Sequence, residues 1–394
     1  LNLCRLCALD HAGVAATEAE AARAIPLGER FDAPDVVWEA RYFVGLARYV
    51  ADEGTGDDGW ERMEPARAGA VAAGLVHPAA FMAMLMGMAA AWRRDHARNE
   101  AAVTFIERLL ADYDIFSFLD VSSSQRSYCA LQQGRWDDAA ELAAGVLDRP
   151  GPAPAARILP LLVLGLVRAR RGDPDVWEPL DEALTVPEPT GSLLVRAARA
   201  EAAWLDGDVA RARLEAARGL DGASPHMDPW VTGELTRWLR LAGADVPAVR
   251  VAIPFAFELR GDWRAAAAAW EERGCPYDAA LARLDGDVPA LLEAQRAFAA
   301  LGATPAAALV RERLRTAGVR IGVRGPRPAT RVNPHGLTTR QLEIVALIAE
   351  GLTDAQIAAQ LQLSSKTVNN HVTAVLGKLG VRSRVAAVRR VVGQ

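Results

Sequence analysis

The strongest constraint on this chain is a short punctuation mark that recurs between helix-like runs. It reads Gly134-Arg-Trp-Asp-Asp-Ala, Gly172-Asp-Pro-Asp-Val-Trp, Gly207-Asp-Val-Ala-Arg-Ala and Gly261-Asp-Trp-Arg-Ala-Ala, the first three copies standing 38 and 35 residues apart. Each glycine suits the left-handed residue that ends a helix, and the residues behind it open the next one. Five positions after the glycine stands Ala139, Ala212 or Ala266, small enough to let paired helices approach; the second copy has Trp177 there, and Gly286-Asp-Val-Pro is a weaker fifth copy. Composition points the same way. Of 394 residues 79 are alanine, and β-branched and aromatic residues are sparse, so helix is favoured over sheet. With 51% of residues hydrophobic, the chain has apolar material for two or three packed domains, which excludes disorder. The expected fold class is all-α.

Net charge divides the chain. Residues 1–310 carry 31 basic and 45 acidic side chains, a net of −14, whereas residues 311–394 carry 14 basic and four acidic ones, a net of +10. A basic block behind an acidic body suggests a module that binds a polyanion. Lysine sharpens the division: the 45 basic residues are 43 arginines and two lysines, Lys366 and Lys378. Chemistry that needs a lysine before residue 366 is excluded. The segment from Gly318 to Gly336 holds three prolines and four arginines and reads as a linker. The expected division is therefore a helical-repeat domain over 1–317, a linker over 318–336 and a basic domain over 337–394.

Several other classes fall away. Cys4 and Cys7 have CxxC spacing, but His11 is the next histidine and stands alone, so neither a metal nor a redox site is expected. From Gly69 to Trp92 there are 24 residues without a charge, interrupted by His77 and Pro78; two buried helices meeting near Pro78 are expected, with no membrane span. No HExxH, no G-x-S-x-G and no convincing triad is present, so an enzyme is not expected and no cofactor is assigned. Nothing at the start resembles a secretion signal, which suggests a cytoplasmic protein, and Leu1 suggests a piece of a longer one.

The basic domain carries unusually complete helix signals. Thr338 with Gln341 and Thr353 with Gln356 form capping-box pairs, Gly351 stops the first helix, and Ser364 and Ser383 can cap the third and fourth. Apolar positions on the first helix include Leu342, Val345, Ala346 and Ala349; Ile357, Ala358 and Leu361 serve the second, and Val385, Val388 and Val392 lie on the fourth. On the third, Val368, Val372, Val375 and Leu379 make one buried stripe. Ser365, Lys366, Asn369, Asn370, Thr373 and Gly377 gather opposite, a small polar face suited to a DNA major groove. Asparagine pairs in bidentate fashion with adenine, so Asn369 and Asn370 are the candidate base readers. Lys366 and Lys378 are candidate phosphate anchors. Two adjacent asparagines in mid-helix have no structural advantage. His371 lies beside the stripe and is expected to pack.

Here the sequence resembles the LuxR-type helix-turn-helix of bacterial transcription regulators. The matching elements are Leu337-Thr338-x-Arg340, Gly351, Ile357-Ala358, Ser364-x-x-Thr367-Val368-x-x-His371-Val372, Lys378-Leu379-Gly380-Val381 and Arg384. The resemblance implies a four-helix DNA-binding domain whose reader spans Thr353 to Val372, with DNA-facing residues Ser365, Lys366, Thr367, Asn369, Asn370, Thr373 and Lys378. It also implies a homodimer on double-stranded DNA through the fourth helix. The family usually has Glu at Gln341, an acidic residue at Gln356 and often Lys at Asn369, so no known target site transfers.

The recurrent glycines resemble tetratricopeptide-type repeats, whose units have a period near 34 residues. Such stacks offer a concave surface for an effector or protein partner. The whole is similar to the C-terminal half of the large ATP-binding LuxR regulators, but no phosphate loop is present, because the only Lys followed by Ser or Thr is Lys366. The absence of lysine from residues 1–365 equally excludes a phosphoacceptor receiver. The expected function is transcription regulation by sequence-specific DNA binding, the alternative being a helical scaffold with a decayed DNA-binding domain.

Overall fold

The computed structural model describes residues 13–54, 56–113, 118–149, 154–186, 189–221, 227–319, 337, 339–361, 365–381 and 383–392. Among them are 21 α-helices and no strand. The chain forms two compact units, Leu1–Arg320 and Ile321–Gln394. Cys4, Cys7 and His11 lie outside the described residues, as does most of the expected linker.

In the larger unit the helices are α1 (Val14–Arg30), α2 (Pro34–Ala51), α3 (Asp57–Ala72), α4 (Val76–Trp92), α5 (His96–Asp112), α6 (Leu119–Gln132), α7 (Trp136–Leu147), α8 (Pro154–Arg171) and α9 (Trp177–Thr185). They continue as α10 (Pro189–Asp206), α11 (Val209–Leu220), α12 (Pro229–Leu241), α13 (Ile253–Leu259), α14 (Trp263–Glu272), α15 (Pro276–Ala282), α16 (Val288–Leu301) and α17 (Thr304–Thr316). Each helix packs on the next, and α2, α4, α6, α8, α10 and α12 form a row in which each also touches the following member. That is the contact order of stacked helical hairpins. The uncharged run breaks at Gly74, with Pro78 inside the first turn of α4, where a missing N–H costs no helical bond. No described helix is long and apolar enough to cross a membrane.

The turns have the expected chemistry. Gly134, Gly172, Gly207 and Gly261 have φ of 78°, 79°, 84° and 75°. After Gly134 the Arg135 N–H reaches back to the Ala130 carbonyl at 2.9 Å, closing a Schellman turn, and Trp136 starts the next helix. Asp208 and Asp262 then cap α11 and α14 by accepting from the backbone N–H groups of Arg211 and Ala265. Ala139, Ala212 and Ala266 are fully buried. Gly286, the weaker fifth copy, differs: it follows a 3₁₀ turn and has φ −87°. Left-handed glycines without the Gly-Asp signature extend the series, including Gly243, whose turn interrupts the 54-residue gap between Gly207 and Gly261.

Two turns break the glycine rule. After α1 the left-handed position is Asp32, with φ 51°, and the Ala33 N–H reaches back to the Gly28 carbonyl. After α4 the left-handed position is Arg94, with φ 58°, and Asp95 N–H reaches back to Ala90 as Arg135 does to Ala130. At Gly134 a Cβ would stand 2.5 Å from Leu301 Cδ2. Gly134→Ala is therefore expected to lower stability by about 1–3 kcal/mol, through both strain and overpacking. A urea titration followed by tryptophan fluorescence checks it, and an unmoved midpoint would rule out a need for glycine there.

The stack does not stay open. Helices α15 to α17 turn back over its middle, where α17 packs on α8 and α10 and Trp136 meets the Tyr277 ring edge-on at 5.9 Å. The return continues to the beginning of the stack. Ile253 N–H donates to the Glu53 carbonyl, Arg250 to Ala51, and Arg94 pairs with Glu234. As a result the described side chains of α8 and α10 are buried almost throughout. This corrects the expectation of an open concave surface: the chain's own return helices cover the central helices. Apolar runs such as Ile158-Leu-Pro-Leu-Leu-Val-Leu reflect burial on every side.

Charges hold this closure together. Arg237 lies between Glu258, at 2.8 Å, and Asp278, and Arg170 pairs with Glu201 at 2.6 Å, all with side chains under 10% exposed. Between them is a cavity of about 20 Å³ lined by Arg94, Gln132, Arg170, Glu201, Glu234 and Asp278, where Arg94 Nε, Arg170 Nη1 and Gln132 Oε1 have no protein partner. Its size and polarity suit a single water.

Candidate nucleic-acid interface

The smaller unit contains α18 (Thr339–Ala349), α19 (Asp354–Gln360), α20 (Ser365–Leu379) and α21 (Arg384–Val392). Its core joins Leu337, Ile344, Val345 and Leu347 to Ile357 and Ala358, to the α20 stripe Val368, Val372, Val375 and Leu379, and to Ala387 of α21. The stripe expected on the third helix is thus buried along its length. On α18 the register differs from expectation: Ala346 and Ala349 are exposed, whereas Gln341 and Ile344 are buried. Alanine's small apolar side chain is tolerated on either face, so periodicity drawn through alanines is weak evidence.

Local caps are set as the side chains allow. Thr353 and Gln356 form the capping box, with Gln356 Oε1 accepting from the Thr353 N–H at 2.9 Å. Gly351 ends α18 at φ 84°, and Ser383 Oγ accepts from the Ala386 N–H at the start of α21. The expected cap at Thr338 and that at Ser364 fall outside the described residues. Gln341 has a different partner: its Oε1 accepts from Lys378 Nζ at 2.9 Å, tying the end of α20 to α18.

Opposite the valine stripe, α20 exposes Lys366, Asn369, Thr373, Gly377 and Lys378. The side chains of Ser365, Thr367 and Asn370 are outside the described residues. His371 is half-buried beside the stripe. The exposed face is therefore polar and, between its two lysines, uncharged. Two arginines not assigned a role by sequence reasoning also act here. Arg340 donates to the Leu361 carbonyl at 2.6 Å and to Glu343, while Arg384 pairs with Asp354 at 3.0 Å.

Among its described residues the larger unit assembles no comparable set of reactive groups. Cys275 Sγ lies 3.8 Å from His96 Nε2, but burial followed by the charge of Arg94 lowers His96 to about 4, and burial raises the thiol, so both are neutral at pH 7. Burial also pushes Cys129 up to about 12. Among the described residues no three His, Cys, Asp or Glu side chains come together in a metal-binding group.

Residues 335–391 match the family model described as bacterial regulatory proteins, luxR family. Among curated proteins, the chain is 49% identical over 55 residues to the transcriptional regulatory protein LiaR of Bacillus subtilis, covering 14% of this chain and 26% of that one. It is 49% identical over 51 residues to the nitrate/nitrite response regulator protein NarP of Escherichia coli, covering 13% and 24%. With the DNA-binding transcriptional activator DevR/DosR of Mycobacterium tuberculosis it shares 44% over 52 residues, covering 13% and 24%. The chain thus spans about a quarter of the length of these relatives. No solved structure matches it significantly. The smaller unit, with its buried valine stripe and polar outer face, is a LuxR-family helix-turn-helix domain of the bacterial transcription regulators.

Proposed function

We propose that this protein is a sequence-specific transcription regulator that inserts α20 into the major groove of double-stranded DNA. The observation carrying this reading is the exposed Lys366, Asn369 and Thr373 face opposite the buried valines. Asn369 and Asn370 read adenine edges, and Ser365, Thr367 and Thr373 lie along the same contact. Lys366 anchors a phosphate, and Lys378 anchors another within the range its bond to Gln341 allows. Residues 337–394 contain no Phe, Tyr or Trp, so a base-stacking platform for single strands is lacking and duplex is the better partner.

Two subunits pair on DNA through α21, whose Val385 is 61% exposed. The helical body, over residues 1–317, senses an effector or protein partner in the cytoplasm and is joined to the reader by the 318–336 linker.

Binding of the full chain to a library of promoter duplexes, measured at several salt concentrations, tests the reading. Asn369→Ala is expected to lose about 1–3 kcal/mol of discrimination at one base position. Lys366→Ala should weaken every sequence alike and reduce the salt slope by about 1. Equal behaviour of the two variants would overturn the assigned roles. Absence of duplex binding even at low salt would favour a helical scaffold whose DNA-binding domain has decayed.

A further inference from the structure

Helix α19 has seven residues and buries only Ile357 and Ala358. So short a helix does not hold itself in water. Yet it leads into α20, and a reading helix must be held to a fraction of an ångström to present its side chains to base edges. The structure provides two restraints, one at each end of α19. At its C-terminal end the guanidinium of Arg340, from the first turn of α18, donates to the Leu361 carbonyl at 2.6 Å while also bonding Glu343 at 2.8 Å. A cation is well placed there, because the last carbonyls of a helix lack helical partners and carry partial negative charge. At the N-terminal end Asp354 accepts from Arg384, the first residue of α21, at 3.0 Å.

We propose that Arg340 and Arg384 are positioning residues for DNA reading: together they clamp α19 between α18 and α21 and so fix the heading of α20. Neither is assigned a base or phosphate. Arg340 and Arg384 are both part-exposed, and an exposed pair such as Arg384 with Asp354 adds little to stability. Their contribution is geometric. This inference rests on the reading of α20 as the DNA-contacting helix.

The test compares the full chain with R340M, R340K and R384M on a preferred duplex and on a scrambled one across a salt series. R340M and R384M are expected to lose roughly tenfold in affinity for the preferred duplex, the scale of one lost base contact. Affinity for the scrambled duplex and the salt slope should stay as in the parent chain. R340K keeps a donor for the Leu361 carbonyl and is expected to recover most of the loss. A slope reduced by about 1, with both duplexes weakened alike, would make Arg340 a phosphate contact and overturn the proposal. An unchanged preference would overturn it too.

Amide exchange of the DNA-free chain decides the point independently. In R340M, faster exchange is expected over residues 354–361, with α18 and the centre of α20 unchanged. Faster exchange through the entire smaller unit would make Arg340 a general stability residue and sink the positioning role. If the parent chain binds no duplex, the reading of α20 fails, whereas the exchange result still reports on the clamp.

Discussion

Arg237→Met is expected to destabilise the helical body by about 3–5 kcal/mol at pH 7, because it leaves two buried carboxylates without their shared cation. Arg237 has a side chain 3% exposed and bonds both Glu258 and Asp278, which are 3% and 7% exposed. Burial alone would raise the Asp278 carboxyl; the guanidiniums of Arg237, Arg94 and Arg170 hold it below the usual carboxylate value. A lowered folded pKa contributes stability that is present above the unfolded value, near 4, and lost as pH falls through the folded one. Without Arg237 the sign inverts. The Asp278 pKa should rise above its unfolded value, so the variant loses stability as pH increases from about 4 to 7 while the parent chain does not. Urea midpoints at several pH values check this through tryptophan fluorescence, since all ten tryptophans lie between Trp38 and Trp270. A deficit under about 1 kcal/mol, or parallel pH curves, would contradict a role for Arg237 as the shared counter-charge.

Val368→Asp is expected to unfold the smaller unit while leaving the body folded. Val368 is fully buried at the junction of α18, α19 and α20, with Ile344, Ile357 and Val372 in the same cluster and no cation among them. An unpaired carboxylate there costs several kcal/mol, comparable to the whole stability of a domain of roughly 60 residues. Circular dichroism should lose the share of helix belonging to α18 to α21, and duplex binding should vanish. Tryptophan fluorescence and its urea midpoint should not move, because that unit contains no tryptophan. A shifted fluorescence midpoint would show that the body depends on the smaller unit for stability.

Much of the helical anatomy was legible because its causes are local. A left-handed glycine, an aspartate accepting from an N–H three residues on, and a valine stripe at spacings of four and three each act within about one or two helical turns. Gly134, Asp208, Thr353 and Val368 accordingly do what their sequence neighbourhood implies. Alanine limited the reading. Its propensity marks helix but says little about facing, which is why Ala346 and Ala349 were expected in the core and stand exposed. The candidate interface was legible to the same extent: the exposed side of α20 follows from its stripe, while Arg340 and Arg384 act on groups 21 and 30 residues away.

Sequence alone establishes that the chain is helical, where most helices end, and that its basic C-terminal segment is a LuxR-family helix-turn-helix domain. Those properties come from backbone hydrogen bonds and side-chain spacing within short windows. Long-range packing sets the rest: the stack closes, Arg94 takes a glycine's place to reach Glu234, and Lys378 bonds Gln341. Arg94 and Glu234 are 140 residues apart, and Lys378 and Gln341 are 37 apart. Such pairs form only when packing brings distant segments of the chain together, so no local pattern announces them.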